Sequence, residues 1–599
     1  WYYTTGEIWG NSAGISGNGV YKSTDGGLTW EVLPSTVSPR TVADGPFAYT
    51  WRIVAKPNVD SSDLYVATSR YGVQRSTDGG RSWSSVIGSN AIFSDVHVTP
   101  NGVIYAALSA FTGQTGAVST RWGVFRSVDG VTWQNVTPSS MNNETRRIVL
   151  AAVPNHPEQI WALAETPGRG MQGTTTYRGQ LQYEWHSLWK YTRVTADSGR
   201  WDDHSQNLPE REESRGDLYS QGGYDLLVRV SPHDSNLVMV GGTNLYRSTD
   251  GFRSPAHTWI GGYWKYTPKW DRYSSYGDHH PDQHDVLFHP TDPAVMYSVN
   301  DGGVQRTDDI RADSVVWVDL NRGYLTTQHY TVELDQRAGS AKIIGGMQDN
   351  SCWATDSLSG TAFWRRLGGG DGAYCVFADS TRTEYYSSQQ TRIYRIRRAA
   401  DGTEIDRSRI DPATREFLFI NPYTLHPRDE HIMYLAGGAV VMRNNDLREI
   451  PAGVNDSTFV NWDTLRATSV APSLVSAVCA VPTDVGEPHV VYYGTSTGRV
   501  YKLIGAESGQ PVPTEVTGPT MPRGAFVNSI TVNEADPEHL VVCFSNYGVN
   551  SVWETFNGGT SWESISGNLE ENAGGSGNGP AVNWVGILPT GGLPRLYIA

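Results

Sequence analysis

One turn recurs along this chain, and it constrains the fold more than any other feature. Ser23-Thr24-Asp25-Gly26-Gly27-Leu28-Thr29-Trp30 sets the pattern Ser-x-Asp-x-Gly-x-Thr-Trp. Ser76 to Trp83 repeats it nearly intact, and Ser127 to Trp133 is one residue shorter. Ser248 to Gly251 keeps the front half, and Thr555 to Trp562 is a softened copy with Asn557 in place of the aspartate. Each full copy follows a short β-like run such as Gly19-Val20-Tyr21-Lys22 or Gly72-Val73-Gln74-Arg75. Ser and Asp side chains bond to the amides of their own turn, and glycine supplies the positive φ that a tight hairpin needs. A Trp opening the next strand buries a large ring against a neighbouring sheet. A hairpin repeated in this way predicts a repeat architecture of short antiparallel strands.

A second signal has the same meaning. Short apolar strands, often introduced by a Pro/Asp turn, run from Leu64-Tyr65-Val66-Ala67 through Val238-Met239-Val240-Gly241 to Val541-Val542-Cys543-Phe544. Their spacing of about 40 to 80 residues is near the length of one four-stranded propeller blade. The expected fold is all-β, a β-propeller. About twelve strand starts in a chain that reads as cut at both ends suggest two tandem seven-bladed propellers, residues 1–330 and 331–599, with one ten-bladed ring as the alternative. Residues 166–224 read as a long rim insertion, in which Ser187 to Trp201 resembles a decayed blade hairpin.

The totals narrow the function. The 21 Trp, 31 Tyr and 64 Gly suit many short strands and tight turns, and disfavour long helices. A net charge of −15 argues against nucleic acid or a basic membrane-surface role. No apolar run approaches the roughly 20 residues of a membrane span. Cys352, Cys375, Cys479 and Cys543 lack zinc-site spacing, and read either as two bridges, 352 with 375 and 479 with 543, or as buried thiols.

The recurring turn is similar to the Asp-box, or BNR repeat, of sialidases, xyloglucanase-type glycoside hydrolases and the sortilin (VPS10) domain. Tyr3-Thr4-Thr5-Gly6-Glu7, Gln221-Gly222-Gly223-Tyr224-Asp225, His280-Pro281-Asp282-Gln283-His284, Asn300-Asp301-Gly302-Gly303, Gly345 to Asn350 and Gly369-Gly370-Asp371-Gly372 narrow the resemblance. They resemble large secreted bacterial proteins with sortilin-like BNR propellers, often described as glycosyl hydrolase-like. That resemblance implies an extracellular or cell-surface location, Bacteroidota-type secretion, and turn aspartates (Asp25, Asp78, Asp129, Asp250) that are structural. It carries no catalytic residues over. A sialidase is disfavoured, because Trp51-Arg52-Ile53-Val54 lacks the proline of the expected Arg-Ile-Pro motif.

Three constellations could carry chemistry. Asp278 to Asp285 interleaves carboxylates with His279, His280 and His284, which could ligate a metal or supply an acid and a base, or could simply bond within a rim loop. Asp301, Gln348-Asp349-Asn350 and Asp371 place hard oxygens beside glycine turns, compatible with Ca²⁺ at Asp301, Asp349 and Asp371 although no cofactor is required. Trp259, Trp264, Tyr266 and Trp270 could stack on sugar rings, or could pin a long loop to the blades.

Two functions remain in view. The first is a secreted or surface β-propeller that binds a glycan or a surface protein through rim loops and an inter-propeller cleft. Its ligand residues would be Trp259, Trp264, Tyr266, Trp270, His280, His284, Gln348 and Asn350. The alternative is a glycoside hydrolase that acts on a polysaccharide in that cleft. Such an enzyme needs two carboxylates about 5 to 10 Å apart, and the candidates are Asp278, Asp282, Asp301, Asp349 and Asp371, with Asp285 beside them.

Overall fold

The recurring turn is closed by its own side chains. Ser23 Oγ donates to Asp25 Oδ1 (2.7 Å), Gly27 N–H donates to Ser23 Oγ (2.8 Å), and Thr29 N–H and Oγ1 donate to the Asp25 carboxylate (3.0 and 2.6 Å). The copy at Asp78 has the same set from Ser76, Gly80 and Ser82. Hydrogen bonds hold the Asp25, Asp78 and Asp129 carboxyls well below the usual carboxylate range. The natural Asn557 shows which part of this matters: its Oδ1 accepts Thr555 Oγ1 and Ser561 N–H, both at 2.9 Å. Asp78→Ala should therefore lower the thermal midpoint more than Asp78→Asn, and equal effects in a melting experiment would refute this account of the turn. The indoles vary more than the turns do. Trp83 packs against Phe47, whereas Trp30, expected in the core, is 38% exposed and lies edge-on to Tyr3.

The computed structural model describes residues 1–9, 16–37, 45–57, 62–114, 116–177, 180–195, 198–209, 218–264, 274–323, 327–335, 339–360, 362–378, 382–414, 416–484, 486–570, 581–588 and 596–598. Among them the structure is strands, turns and four short 3₁₀ segments, and no helix is long and apolar enough to cross a membrane. The chain divides into two compact units, Trp1–Leu325 and Thr326–Ala599.

The fold is a β-propeller. In the first unit a three-stranded sheet (residues 2–32) is followed by antiparallel meanders beginning at Thr50–Ala55, Ser94–Val98, Ile148–Ala152, Leu227–Val230 and Gln283–Phe288. Those opening strands pack against one another in chain order and are the innermost of their sheets. The second unit repeats the scheme with four-stranded sheets opening at His329–Leu334, Gly372–Ala378, Tyr423–His426, Val475–Ala480 and Val527–Asn533.

The second strand of a blade is covered on both faces by its neighbours, so it reads as an unbroken apolar run and not as an alternation. Leu64–Thr68 and Ile104–Leu108 are buried at every position. The cores accordingly lie between blades: Tyr65, Val73 and Ile87 meet Val96, Ile104 and Phe125, and Trp161 and Leu163 meet Val228 and Val240.

Residues 166–224 hold more strand than a rim loop would. Met171–Tyr177 pairs with the first half of the long strand Gln180–Arg193 as a ribbon. The second half of that strand continues the blade and pairs with Gly199–Asp203, the hairpin expected from Ser187 to Trp201.

Several innermost strands open with a bulge. Thr50 and Arg52 pair with Thr68 and Ala67, which leaves Trp51 without a ladder position, and Gln283 and Asp285 pair with Asn300 and Val299, which leaves out His284. A bulge frees one residue from the pleat and re-aims its side chain.

Candidate active site

The innermost strands of the first unit bring charges from separate sheets together. Arg52 pairs with the buried Asp95, and Arg229 holds Asp285 at both oxygens (2.8 Å each). Both arginines act electrostatically on Asp285 and on His97, whose pKa burial depresses to about 4. Asp285 is thus neutralised by a guanidinium and is a poor acid or base.

At the start of the strand Gln283–Phe288 the chemistry changes, because carboxylates there outnumber cations. Asp282 is 4% exposed and sits at φ +64°, in the left-handed region that few residues other than glycine, Asn and Asp adopt. Gln221, itself at φ +51°, donates from Nε2 to Asp282 Oδ1 (2.8 Å). Asp301 opens the turn after the next strand, Met296–Asn300, and its carboxylate accepts His284 Nε2 and Tyr224 Oη (3.4 Å). The bulge described above is what turns His284 toward Asp301, and the imidazole also lies edge-on to the Tyr224 ring at 5.1 Å. Carboxylate oxygens of Asp282 and Asp301 lie within 4.8 Å of one another.

Behind them lies Asp225, fully buried, with no hydrogen-bond donor reaching either oxygen among the described residues. Its neighbour is the Asp282 carboxyl, and two acceptors can bond only through a proton. Burial first, then the charges of Asp282 and Asp301, push the Asp225 pKa far up, with Arg147 opposing. Burial and the Asp301 charge likewise push Asp282 up to about 7, while Gln221 and His284 pull it down. The pair therefore holds a proton near neutrality and titrates as a unit. Glu7 joins from the segment after the first strand, raised by burial and by Asp301.

The turn that carries Gln221, Tyr224 and Asp225 is fastened from below. Glu184 accepts Ser220 N–H (2.6 Å), Ser220 Oγ (2.8 Å) and Gly222 N–H, and Arg147 donates to the carbonyls of Gly223 (2.7 Å) and Tyr224. Trp9 Nε1 donates to Gly222 O (2.8 Å), with its ring edge-on to Phe93 and Phe111. Glu165, beneath Gly223, is pushed up to about 8 by burial and by Glu184. Exposure falls in steps, from His284 (34%) through Asp301 (11%) and Asp282 to Asp225.

Of the residues singled out from sequence, Asp282, His284 and Asp301 meet here. Asp278, at φ +53°, is exposed and has no part in the pair. His280 is half-buried against Gly302, its Nδ1 3.1 Å from Pro281 O. Trp259 is not a free stacking face: it is wedged into the apolar cores and lies 4.7 Å from Tyr276. Trp264 lies on a short strand paired with Ser274–Ser275, and Tyr266 and Trp270 fall outside the described residues. In the second unit Asp349 N–H donates to Asp371 Oδ1 (3.0 Å), Gln348 accepts Tyr330 Oη, and Asn350 Nδ2 donates to Gln348 O (3.2 Å). Asp225, Glu7, Glu165 and Glu184 had no chemistry assigned from sequence. Asp225 and Glu7 lay inside motifs already noticed, but their burial depends on blades far apart in the chain.

As a cation site the first-unit cluster is a partial fit. Ca²⁺ seeks six to eight oxygens, whereas Gln221 Nε2 and His284 Nε2 meet these carboxylates with nitrogen.

No family model matches the chain. A stretch of 161 residues is 28% identical to the xyloglucanase Xgh74A of Acetivibrio thermocellus, covering 23% of this chain and 18% of that protein's length. Among solved structures, an ancestral GH74 enzyme superposes with a TM-score of 0.51 at 15% identity, over 92% of this chain and 81% of that one. The GH74 xyloglucanase of Xanthomonas campestris aligns over 100% of this chain and 88% of its own, at 16% identity and a TM-score of 0.45. The likeness to the ancestral enzyme is one of fold.

Proposed function

We propose that this protein is a glycoside hydrolase that cleaves a polysaccharide, with Asp282 as the proton donor and Asp301 as the second carboxylate. The observation that carries the reading is a buried carboxyl with an oxygen within 4.8 Å of a second carboxylate, which is bonded to an imidazole. Glycosidic cleavage needs that division of labour: one group protonates the departing oxygen, and the other stabilises or attacks the oxocarbenium-like carbon or activates water. Gln221 orients Asp282, and His284 with Tyr224 orients Asp301. Asp225 lies behind the donor and shares a proton with it.

The partial match to a xyloglucanase supports a β-glucan, such as xyloglucan, as the substrate. Such polymers are met outside the cell, which favours secretion or surface display. The test is product release from xyloglucan, mixed-linkage glucan, xylan and pectin, read by mass spectrometry, for the parent and for Asp301→Asn. Oligosaccharides from the parent, lost in the variant, are expected. Polymer retained by both proteins and cut by neither would replace the hydrolase with a binding module.

A further inference from the structure

A second feature lies wholly within the second unit and does not rest on the hydrolase reading. Cys352, on strand Ser351–Thr355, and Cys375, on strand Gly372–Ala378, belong to adjacent sheets. Their sulfurs face each other 3.1 Å apart across the blade boundary, at 0% and 3% exposure. The two backbones can approach so closely because glycine stands at the crossing. A Cβ on Gly346, which is paired with Cys352, would lie 2.1 Å from Ala373 O, and one on Gly372 would lie 2.1 Å from Ser351 O. Ile344, Leu367, Tyr386 and Ile396 pack around the sulfurs.

We infer that Cys352 and Cys375 are a modification site, an inter-blade disulfide that forms as the second unit folds. Each thiol gives up one proton and one electron. The electron pair passes to a small disulfide oxidant, whose S–S bond breaks into two thiols as the Cys352–Cys375 bond forms. The first step is attack by a thiolate, which requires solvent, so exchange belongs to the stage before the blades close. Once made, the bond shortens the present separation by about 1 Å.

The bond would clamp two loops. Gln348–Asn350 ends one residue before Ser351–Cys352, and Gly369–Asp371 leads into Gly372–Cys375, with Asp349 N–H on Asp371 Oδ1 between them. Cys479 and Cys543 lie in different core clusters, Cys543 bonded to Val582 O, and remain thiols.

The experiment refolds the full chain in a buffer of reduced and oxidised glutathione. The unfolded product is then alkylated without reduction and its peptides are mapped by mass spectrometry. A linked Cys352–Cys375 pair, two hydrogens lighter than the free peptides, with Cys479 and Cys543 alkylated, is expected. The oxidised protein should melt roughly 5–10 °C above the reduced one. The difference should vanish in Cys352→Ser and persist in Cys479→Ala. Four alkylated cysteines, a different linked pair, or a shift that survives Cys352→Ser would overturn the assignment.

Discussion

Asp282→Asn should lower kcat on a cleaved polysaccharide by about 10³-fold or more, the usual scale for loss of a positioned acid in this chemistry. The amide keeps the size of the carboxyl and can still accept from Gln221 Nε2, and Asn tolerates the left-handed backbone at this position. The variant should therefore fold, and the loss should lie in kcat more than in KM. Its residual rate should also lose the alkaline limb of the parent's pH profile, the limb set by the proton that Asp282 holds up to about pH 7. A substrate with an activated leaving group should recover much of the rate, because it needs little protonation to depart. Full activity in Asp282→Asn, or a residual profile with the alkaline limb intact, would remove Asp282 from the donor role.

The same substitution should stabilise the protein as the pH rises from about 4 to 7. Native Asp282 holds its proton up to about pH 7, whereas an unfolded aspartate releases it near 3.8. Between those values the native state binds more protons than the unfolded chain, so its stability falls as the pH rises. Three pH units correspond to about 4 kcal/mol at most for this group, and Asp225, raised for the same reason, acts in the same direction. The turn aspartates work the other way: their depressed values contribute stability above the unfolded pKa that is lost only in strong acid. Subtracting the pH series of Asp282→Asn from that of the parent, by denaturant unfolding from pH 5 to 8, isolates the buried carboxyl. The parent should lose ground steadily on the variant. A flat difference would mean that the carboxyl ionises as freely in the native protein as in the unfolded chain. A residue whose loss abolishes activity and increases stability has the signature of a site built at a cost to the fold.

The fold was legible because blades are local. Ser23 to Trp30 and the copy at Asp78 close their turns with serine and aspartate bonds made inside the eight residues, and apolar runs such as Leu64–Thr68 announce strands covered on both faces. The stretch 166–224 was legible only in part, since the long strand from Gln180 to Arg193 serves a ribbon and a blade at once. The site was half legible. Asp282, His284 and Asp301 stood out by type and spacing, whereas the sequence left Trp259 open between a sugar-stacking face and a packing anchor, and its ring packs between two cores. Asp225 could not be singled out, because its raised pKa comes from burial and from the Asp282 carboxyl beside it, and both are properties of assembled blades. The opposite roles of Asp282 and its neighbour Asp285 were equally hidden. One faces two other carboxylates, and the other faces Arg229 from a different sheet.

The bulges at the heads of the innermost strands carry a consequence for how such a protein diversifies. A residue left out of the ladder can be exchanged without disturbing the pairing on either side. His284 in the first unit, and Tyr330 and Asn528 in the second, hold that position. They amount to interchangeable tips on fixed handles, so a lineage could redraw what each ring presents one blade at a time while the sheets beneath stay as they are.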